Sequence, residues 1–446
     1  MGPNYANPCT MNKKTGSEGL FGSGSSGLGG NMMKSRQLAV ASVIVLVLML
    51  TSGRLLAASA EPVSGDMPPN TPTADLGCTS FCLDNAGHCV FGTNFDNTIY
   101  EGLLFVNQRH VAKTGWEANT EGEYASWTSK YGSLTFDLVG YQFVWAGMNE
   151  AGLMISTMAL GESLAPDPDE RFPLVGPVWM QYQLDNYSTV AEVIASALHV
   201  RIAAAPPRTV DHYLVCDGSG ECAALEFLEG KMVYHTGDSL PAAALTNSVY
   251  EDSVRAWQDG DLSNNSLMRF GTAADRVTSF EPMDSERAVT YAFETLAQVS
   301  SPTYTMWSIV FDPQNLRVYF RTKWNTEIRH IDFSQLDFSC GTPVHMLDVH
   351  AELSGDVSND FIPYSHEVSL AHIMNVLGKF GYDAPRDEME RLLQQIEGYP
   401  CAGDEENATR DMSQGFFSRF WPVAAAIAVI VLLVIGYVIR RRVGRR

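Results

Sequence analysis

Cys78 is the residue on which chemistry converges. A thiol attacks a carbonyl as its thiolate, so a nucleophilic cysteine needs a base within reach. If the bond between Gly77 and Cys78 is cut, the residue gains that base itself, an α-amine with an ordinary pKa of about 7.7–8.0. One residue then carries both nucleophile and proton acceptor, a pairing suited to opening amides. Gly77 leaves the carbonyl of the bond unshielded, so attack by Cys78 on it is the simplest route to the cut. Cysteine arithmetic also singles out Cys78. Of the 8 cysteines, Cys9 falls in a leader. Cys82 and Cys89 flank one turn, Cys216 and Cys222 flank another, and Cys340 and Cys401 bracket a helical insert. Those three local pairs leave Cys78 over. Spacing alone does not prove the pairing, and a structural thiol or disulfide partner is the competing reading of Cys78.

Other chemistry is poorly supported. His366-Glu367 followed by His372 fails the HExxH spacing, because Leu370 stands where the second histidine belongs. His345 and His350 have no cysteine partner nearby. No glycine loop suited to phosphate is present, so neither cofactor nor metal is expected. The formal charge of -21 excludes nucleic acid as a partner, since phosphate binding needs clustered Lys and Arg.

The elements that must position Cys78 read as follows. Residues 1–32 form a leader or start-site artefact without fold. Residues 33–60 have a basic start, a short apolar run and an Ala58-Ser59-Ala60 cleavage site, and read as a signal peptide. Residues 61–77 are a Pro- and Thr-rich linker or propeptide. Hairpins follow: Thr79–Leu83 with Cys89–Asn94, Tyr141–Met148 with Leu153–Leu160, a meander over 212–235, and Thr305–Phe311 with Leu316–Thr322. Amphipathic helices are predicted over Ser188–Val200, Leu267–Phe280 and Ser285–Val299, and over Ser369–Phe380 and Pro385–Glu397. Blocks of helices between antiparallel hairpins imply an α+β layered body over 78–335. Residues 336–420 read as a C-terminal helical extension. The uncharged run 421–439, followed by arginines over 440–446, is expected to be a transmembrane helix with a cytoplasmic basic tail. That places the body outside, at a cell surface or facing the periplasm, as a single-pass protein with the membrane as partner.

Several short segments together resemble the choloylglycine hydrolase and penicillin V acylase family. They are Cys78-Thr79-Ser80-Phe81, Phe91-Gly92-Thr93-Asn94-Phe95-Asp96, Gly147-Met148-Asn149-Glu150-Ala151-Gly152-Leu153, Leu245-Thr246-Asn247-Ser248 and Ser266-Leu267-Met268-Arg269-Phe270, with Trp307–Asp312 at the end. The resemblance implies an αββα N-terminal-nucleophile sandwich, two stacked antiparallel sheets between helix layers, that cleaves linear amide C–N bonds. It implies Cys78 as nucleophile, Asp96 holding the new α-amine, Asn247 donating to the oxyanion, and Arg269 favouring the thiolate. Two positions depart from it: Thr93 stands where the family usually has Arg, and Ala159 where Asn or Tyr contributes to the oxyanion hole. Without the resemblance, Asp96 reads as a turn carboxylate, Asn247 as satisfying turn amides, and Arg269 as a solvated helix residue.

The implied partner is a small N-acyl amide with an apolar acyl group. Tyr141–Trp145 and Trp179–Tyr182 are expected to line its pocket. A homo-oligomer is compatible with the sequence. Acyl transfer to an amine instead of water, and a degenerate surface module that binds acyl ligands or protein, are the alternatives.

Overall fold

The computed structural model describes residues 77–115, 125–204 and 207–402. Two sheets stack face to face. The seven-stranded sheet runs in the order Ala244–Leu245, Thr79–Asp84, Cys89–Asp96, Thr305–Asp312, Arg317–Thr322, Arg329–Asp332 and Gly355–Asp356. The nine-stranded sheet runs Lys231–Thr236, Cys222–Leu228, His212–Cys216, Met154–Met158, Val144–Asn149, Ser133–Asp137, Leu103–Asn107, His345–Asp348 and Ile362–Pro363.

The first hairpin shows how local sequence sets this up. Its turn needs left-handed backbone at Ala86 (φ 58°) and Gly87 (φ 84°). Asp84 Oδ1 accepts the Gly87 N–H at 2.7 Å, closing the turn. The two strands are buried almost throughout, because the opposite sheet covers one face and helices cover the other. Phe136 of the nine-stranded sheet meets Phe311 and Phe320 of the seven-stranded sheet edge-on, at ring separations of 6.2 and 5.6 Å. Each such buried ring contributes about 1.5–3 kcal/mol. Outside the seven-stranded sheet lie the helices Asn265–Thr278 and Ser285–Gln298, capped by Asn264 and Asp284, whose side chains accept the Leu267 and Arg287 N–H groups. The helix Gly176–Asn186 covers the nine-stranded sheet, with Pro at its start. Cys82–Cys89, Cys216–Cys222 and Cys340–Cys401 are paired, and Cys78 is the free cysteine among the described residues.

Two expectations are corrected. The seven-stranded sheet is mixed, not purely antiparallel, because Arg329–Asp332 pairs in parallel with Gly355–Asp356, and in a separate two-stranded sheet Phe172–Val175 pairs in parallel with Val200–Ala203. The latter strand also ends the predicted helix over 188–200 early, at Ser196. The transmembrane helix is the second correction, and with it go the membrane partner and the single-pass placement at a cell surface or facing the periplasm. Among the described residues no helix is long and apolar enough to cross a membrane. The longest have 14 residues, roughly 21 Å of helix against about 30 Å of hydrocarbon. The segments on which those expectations rested, 33–60 and 421–439, lie outside the described residues.

Candidate active site

Strand register assembles the site. Ser80 pairs with Leu245 and Phe81 with Ala244, so the same register carried two residues further sets Asn247 opposite Cys78. On the other side Thr79 pairs with Asn94, which sets Asp96 level with Gly77. Cys78 thus sits immediately before a strand flanked on both sides, and the register brings Asn247 and Asp96 towards it.

Arg269 arrives from the helix Asn265–Thr278. Its Nη1 donates to the Cys78 carbonyl oxygen at 2.5 Å and to Thr79 Oγ1 at 2.7 Å. Nη2 donates to Asn247 Oδ1 at 3.1 Å, and Nε to Asn265 Oδ1, one helical turn back, at 2.7 Å. Arg269 is only 7% exposed. Asn247 is fixed at three points. Its backbone N–H donates to Ser266 Oγ at 3.0 Å, its Nδ2 donates to the Ala159 carbonyl at 2.8 Å, and its Oδ1 takes the Arg269 hydrogen. Gly77 lies against these groups: a Cβ there would collide with the Arg269 guanidinium and the Asn247 amide oxygen.

Asp96 Oδ1 accepts from Thr305 Oγ1 at 2.6 Å. Its Oδ2 is buried and has no hydrogen-bond partner. Burial pushes the Asp96 carboxyl up to about 7, against the opposing pull of the Thr305 hydroxyl and the Arg269 charge. Burial likewise pushes the Cys78 thiol up to about 12, with the Asp96 charge adding to the rise. The Asp96 backbone N–H and the Arg269 charge draw it back down.

The four residues singled out in the sequence therefore sit together. Sequence reasoning missed their supports. Thr305 holds one oxygen of Asp96, and Ser266 holds the Asn247 backbone. Asp211 adds a buried carboxylate whose charge also raises the Cys78 thiol. His212, fully buried, donates from Nε2 to the Thr246 carbonyl at 2.6 Å and shares its other nitrogen with Glu226 at 3.1 Å, which fixes the residue before Asn247. No local spacing signals contacts of this kind. The departures also find an account. Thr93 is fully buried, and its hydroxyl contacts Ser80 Oγ at 2.8 Å and Ser156 Oγ at 3.0 Å, a chain of hydroxyls crossing between the sheets. At Ala159 it is the carbonyl that engages the site, through Asn247.

The aromatic stretches expected to line a pocket lie in the core instead. Trp145 packs on Phe95 at 4.8 Å, and Trp179 on Tyr213 at 4.8 Å. A cavity of about 390 Å³ lined by Tyr100, Trp324, His350 and His372 contains none of the four site residues.

A layered helix–sheet–sheet–helix body with a cysteine at the head of an inner strand, braced by Asp, Asn and Arg, defines the N-terminal-nucleophile class of hydrolase. The family model described as linear amide C–N hydrolases, choloylglycine hydrolase family, matches residues 78–283 and so begins on Cys78. A penicillin V acylase from Pectobacterium atrosepticum is 27% identical over 267 residues, 49% of this chain and 70% of the relative. A solved penicillin V acylase from Agrobacterium tumefaciens superposes with a TM-score of 0.56 at 25% identity, over 65% of this chain and 98% of that one. A conjugated bile acid hydrolase from Clostridium perfringens, at TM-score 0.50 and 15% identity over 62% and 98% of the two chains, shares the fold. Over residues 78–283 the chain matches the choloylglycine hydrolase family, and it is a hydrolase of linear amide C–N bonds.

Proposed function

We propose that this hydrolase matures by cutting the Gly77–Cys78 bond and then removes an unbranched, apolar acyl group from N-acyl amides, with phenoxyacetyl amides of the penicillin V type as the leading class. The observation that carries this reading is the place of Gly77, wedged against Arg269 and Asn247 with no room for a side chain. In maturation, the Cys78 sulfur adds to the Gly77 carbonyl carbon. The Cys78 nitrogen leaves with a proton, and water hydrolyses the resulting thioester to give a leader carboxylate, a free α-amine and a free thiol.

In turnover the α-amine accepts the thiol proton, and the sulfur forms a bond to the substrate's acyl carbon. The second hydrogen on Asn247 Nδ2 stabilises the oxyanion, a role worth about 3–4 kcal/mol in hydrolases where it has been removed. The ammonium returns its proton to the departing amine nitrogen as the C–N bond breaks. Water then attacks the thioester, its proton passing to the α-amine, and the acid leaves. Asp96 Oδ2 accepts a hydrogen from the α-amine and keeps it directed at the sulfur. Arg269 orders the backbone at Cys78 and lowers the thiol's pKa.

N-terminal sequencing of purified protein, with hydrolysis of penicillin V and of glycine-conjugated bile salts, tests this. A chain that begins at Cys78, hydrolyses penicillin V and loses both properties in Cys78→Ala supports it. A chain that hydrolyses acyl amides with residue 77 still attached rules it out.

A further inference from the structure

The turn that carries Asn247 is tied down at both ends by one buried side chain. Tyr213 pairs with Leu225, so the next step of the register sets His212 opposite Glu226 on the nine-stranded sheet. Glu226 Oε1 meets His212 Nδ1 at 3.1 Å and accepts the Tyr250 backbone N–H at 3.0 Å. His212 Nε2 donates in turn to the Thr246 carbonyl at 2.6 Å. That bond crosses to the seven-stranded sheet, whose edge strand Ala244–Leu245 runs into Thr246. Thr246 and Tyr250 bracket Asn247, and both lead back to the same carboxylate oxygen. Glu226, His212 and Thr246 are fully buried, so these bonds are made away from bulk water.

We propose that Glu226, acting through His212, is a positioning residue for the oxyanion hole: it holds Asn247 Nδ2 where the substrate's carbonyl oxygen becomes charged. This rests on the reading of Asn247 as the oxyanion donor. Such a donor works only within about 2.7–3.1 Å of the developing charge, so a turn free to shift loses most of the effect. The Ala159 carbonyl that takes one hydrogen of Nδ2 follows Met158, which pairs with His212. Neighbouring strand ends of the nine-stranded sheet thus locate both the backbone before Asn247 and its side-chain amide.

The hydrogens explain why a carboxylate stands at this place. A carbonyl oxygen only accepts, so His212 carries a hydrogen on Nε2. A further hydrogen lies between Nδ1 and Glu226 Oε1, and the same oxygen accepts from Tyr250. That oxygen also sits at the N-terminus of the helix Tyr250–Asp259, where the helix dipole favours negative charge. An amide at position 226 keeps the size but cannot meet both demands. With its oxygen in that place, Tyr250 is satisfied, but a neutral ring must put its hydrogen on Nδ1 and turn a bare Nε2 to the Thr246 carbonyl. With its nitrogen there, His212 is satisfied and the Tyr250 N–H faces another donor. Either arrangement frees one end of the turn.

The test compares Glu226→Gln, Asn247→Ala and the double variant, as mature proteins, in steady-state hydrolysis of penicillin V. Glu226→Gln should lose about 10-fold or more in kcat with KM nearly unchanged. In the Asn247→Ala background the same change should cost less than about 3-fold, because the donor it positions is gone. Alkylation of Cys78 by iodoacetamide forms no oxyanion, so its rate in Glu226→Gln should stay within about two-fold of wild type. A second comparison does not depend on that variant folding. His212→Gln keeps a donor for the Thr246 carbonyl and should exceed His212→Leu in kcat by about 5-fold or more. Glu226→Gln with wild-type kcat, losses that multiply in the double variant, alkylation that falls as far as kcat, or equal kcat in the two His212 variants each overturns the proposal. Wild-type kcat in Asn247→Ala would overturn it differently, by showing that Asn247 is not the donor and that the reading beneath the proposal has failed.

Discussion

Arg269 and Cys78 are joined across 191 residues of sequence by a hydrogen bond of 2.5 Å from the guanidinium to the cysteine's own carbonyl oxygen. The arginine therefore grips the backbone of the proposed nucleophile, not its sulfur. Arg269→Lys keeps the charge but loses the fork that reaches Cys78, Thr79 and Asn247 together. We expect kcat/KM to fall by about 10²-fold or more in steady-state assays, with most of the loss in kcat.

Asn247→Ala removes the proposed oxyanion donor and leaves Arg269 Nη2 without its acceptor. A drop in kcat of about 10²–10³-fold with KM changed little is expected from initial-rate measurements. Equal changes in KM alone would show a binding role instead.

Asp96 makes the uncleaved protein's stability depend on pH. Its carboxyl lies at about 7 in the folded precursor against an ordinary 3.8, so the folded state holds a proton that the unfolded chain has already released. Its contribution is fully present below about pH 4 and is lost as pH rises through about 7. In urea unfolding of Cys78→Ala, the stability relative to Cys78→Ala/Asp96→Asn should decline across that window, by up to about 4 kcal/mol.

Gly77→Ala places a methyl group where the guanidinium and the Asn247 amide now lie. The expected outcome is a precursor that accumulates uncut, seen as an unshifted mass. Its thiol should stay unreactive to iodoacetamide near neutral pH, as a thiol held up at about 12 requires.

The same crowding predicts substrate preference. A phenoxyacetyl amide has a methylene where Gly77 has its Cα, whereas a 2-phenoxypropionyl amide adds a methyl there. Hydrolysis of the branched substrate should be slower by about 10-fold or more in kcat/KM, measured side by side.

Much of this was readable in the chain. The odd cysteine pointed to Cys78, and the Asn-Ala-Gly turn placed the hairpin that presents it. The segments around Asn247 and Arg269 carried the family resemblance. What stayed hidden has physical causes. The strands Leu103–Asn107 and Ser133–Asp137 are buried on both faces, so they lack the apolar–polar alternation that marks a strand. Trp179–Tyr182 was read as pocket lining because an aromatic run announces apolarity but not which surface it covers. The partnership of Asp96 with Thr305 depends on a strand arriving from 209 residues away, and no local pattern records that.

Chain termini usually fray, but a terminus created at Cys78 would be held in place. It would open a strand bordered by Ala244–Leu245 on one side and Cys89–Asp96 on the other, with Arg269 clasping its first carbonyl. The amine would start each cycle already aimed, with no conformational search of its own. A practical corollary concerns recombinant production. Any tag or initiator residue left in front of position 78 would acylate that amine and crowd the space where substrate must enter, so purification handles belong at the other end of the molecule.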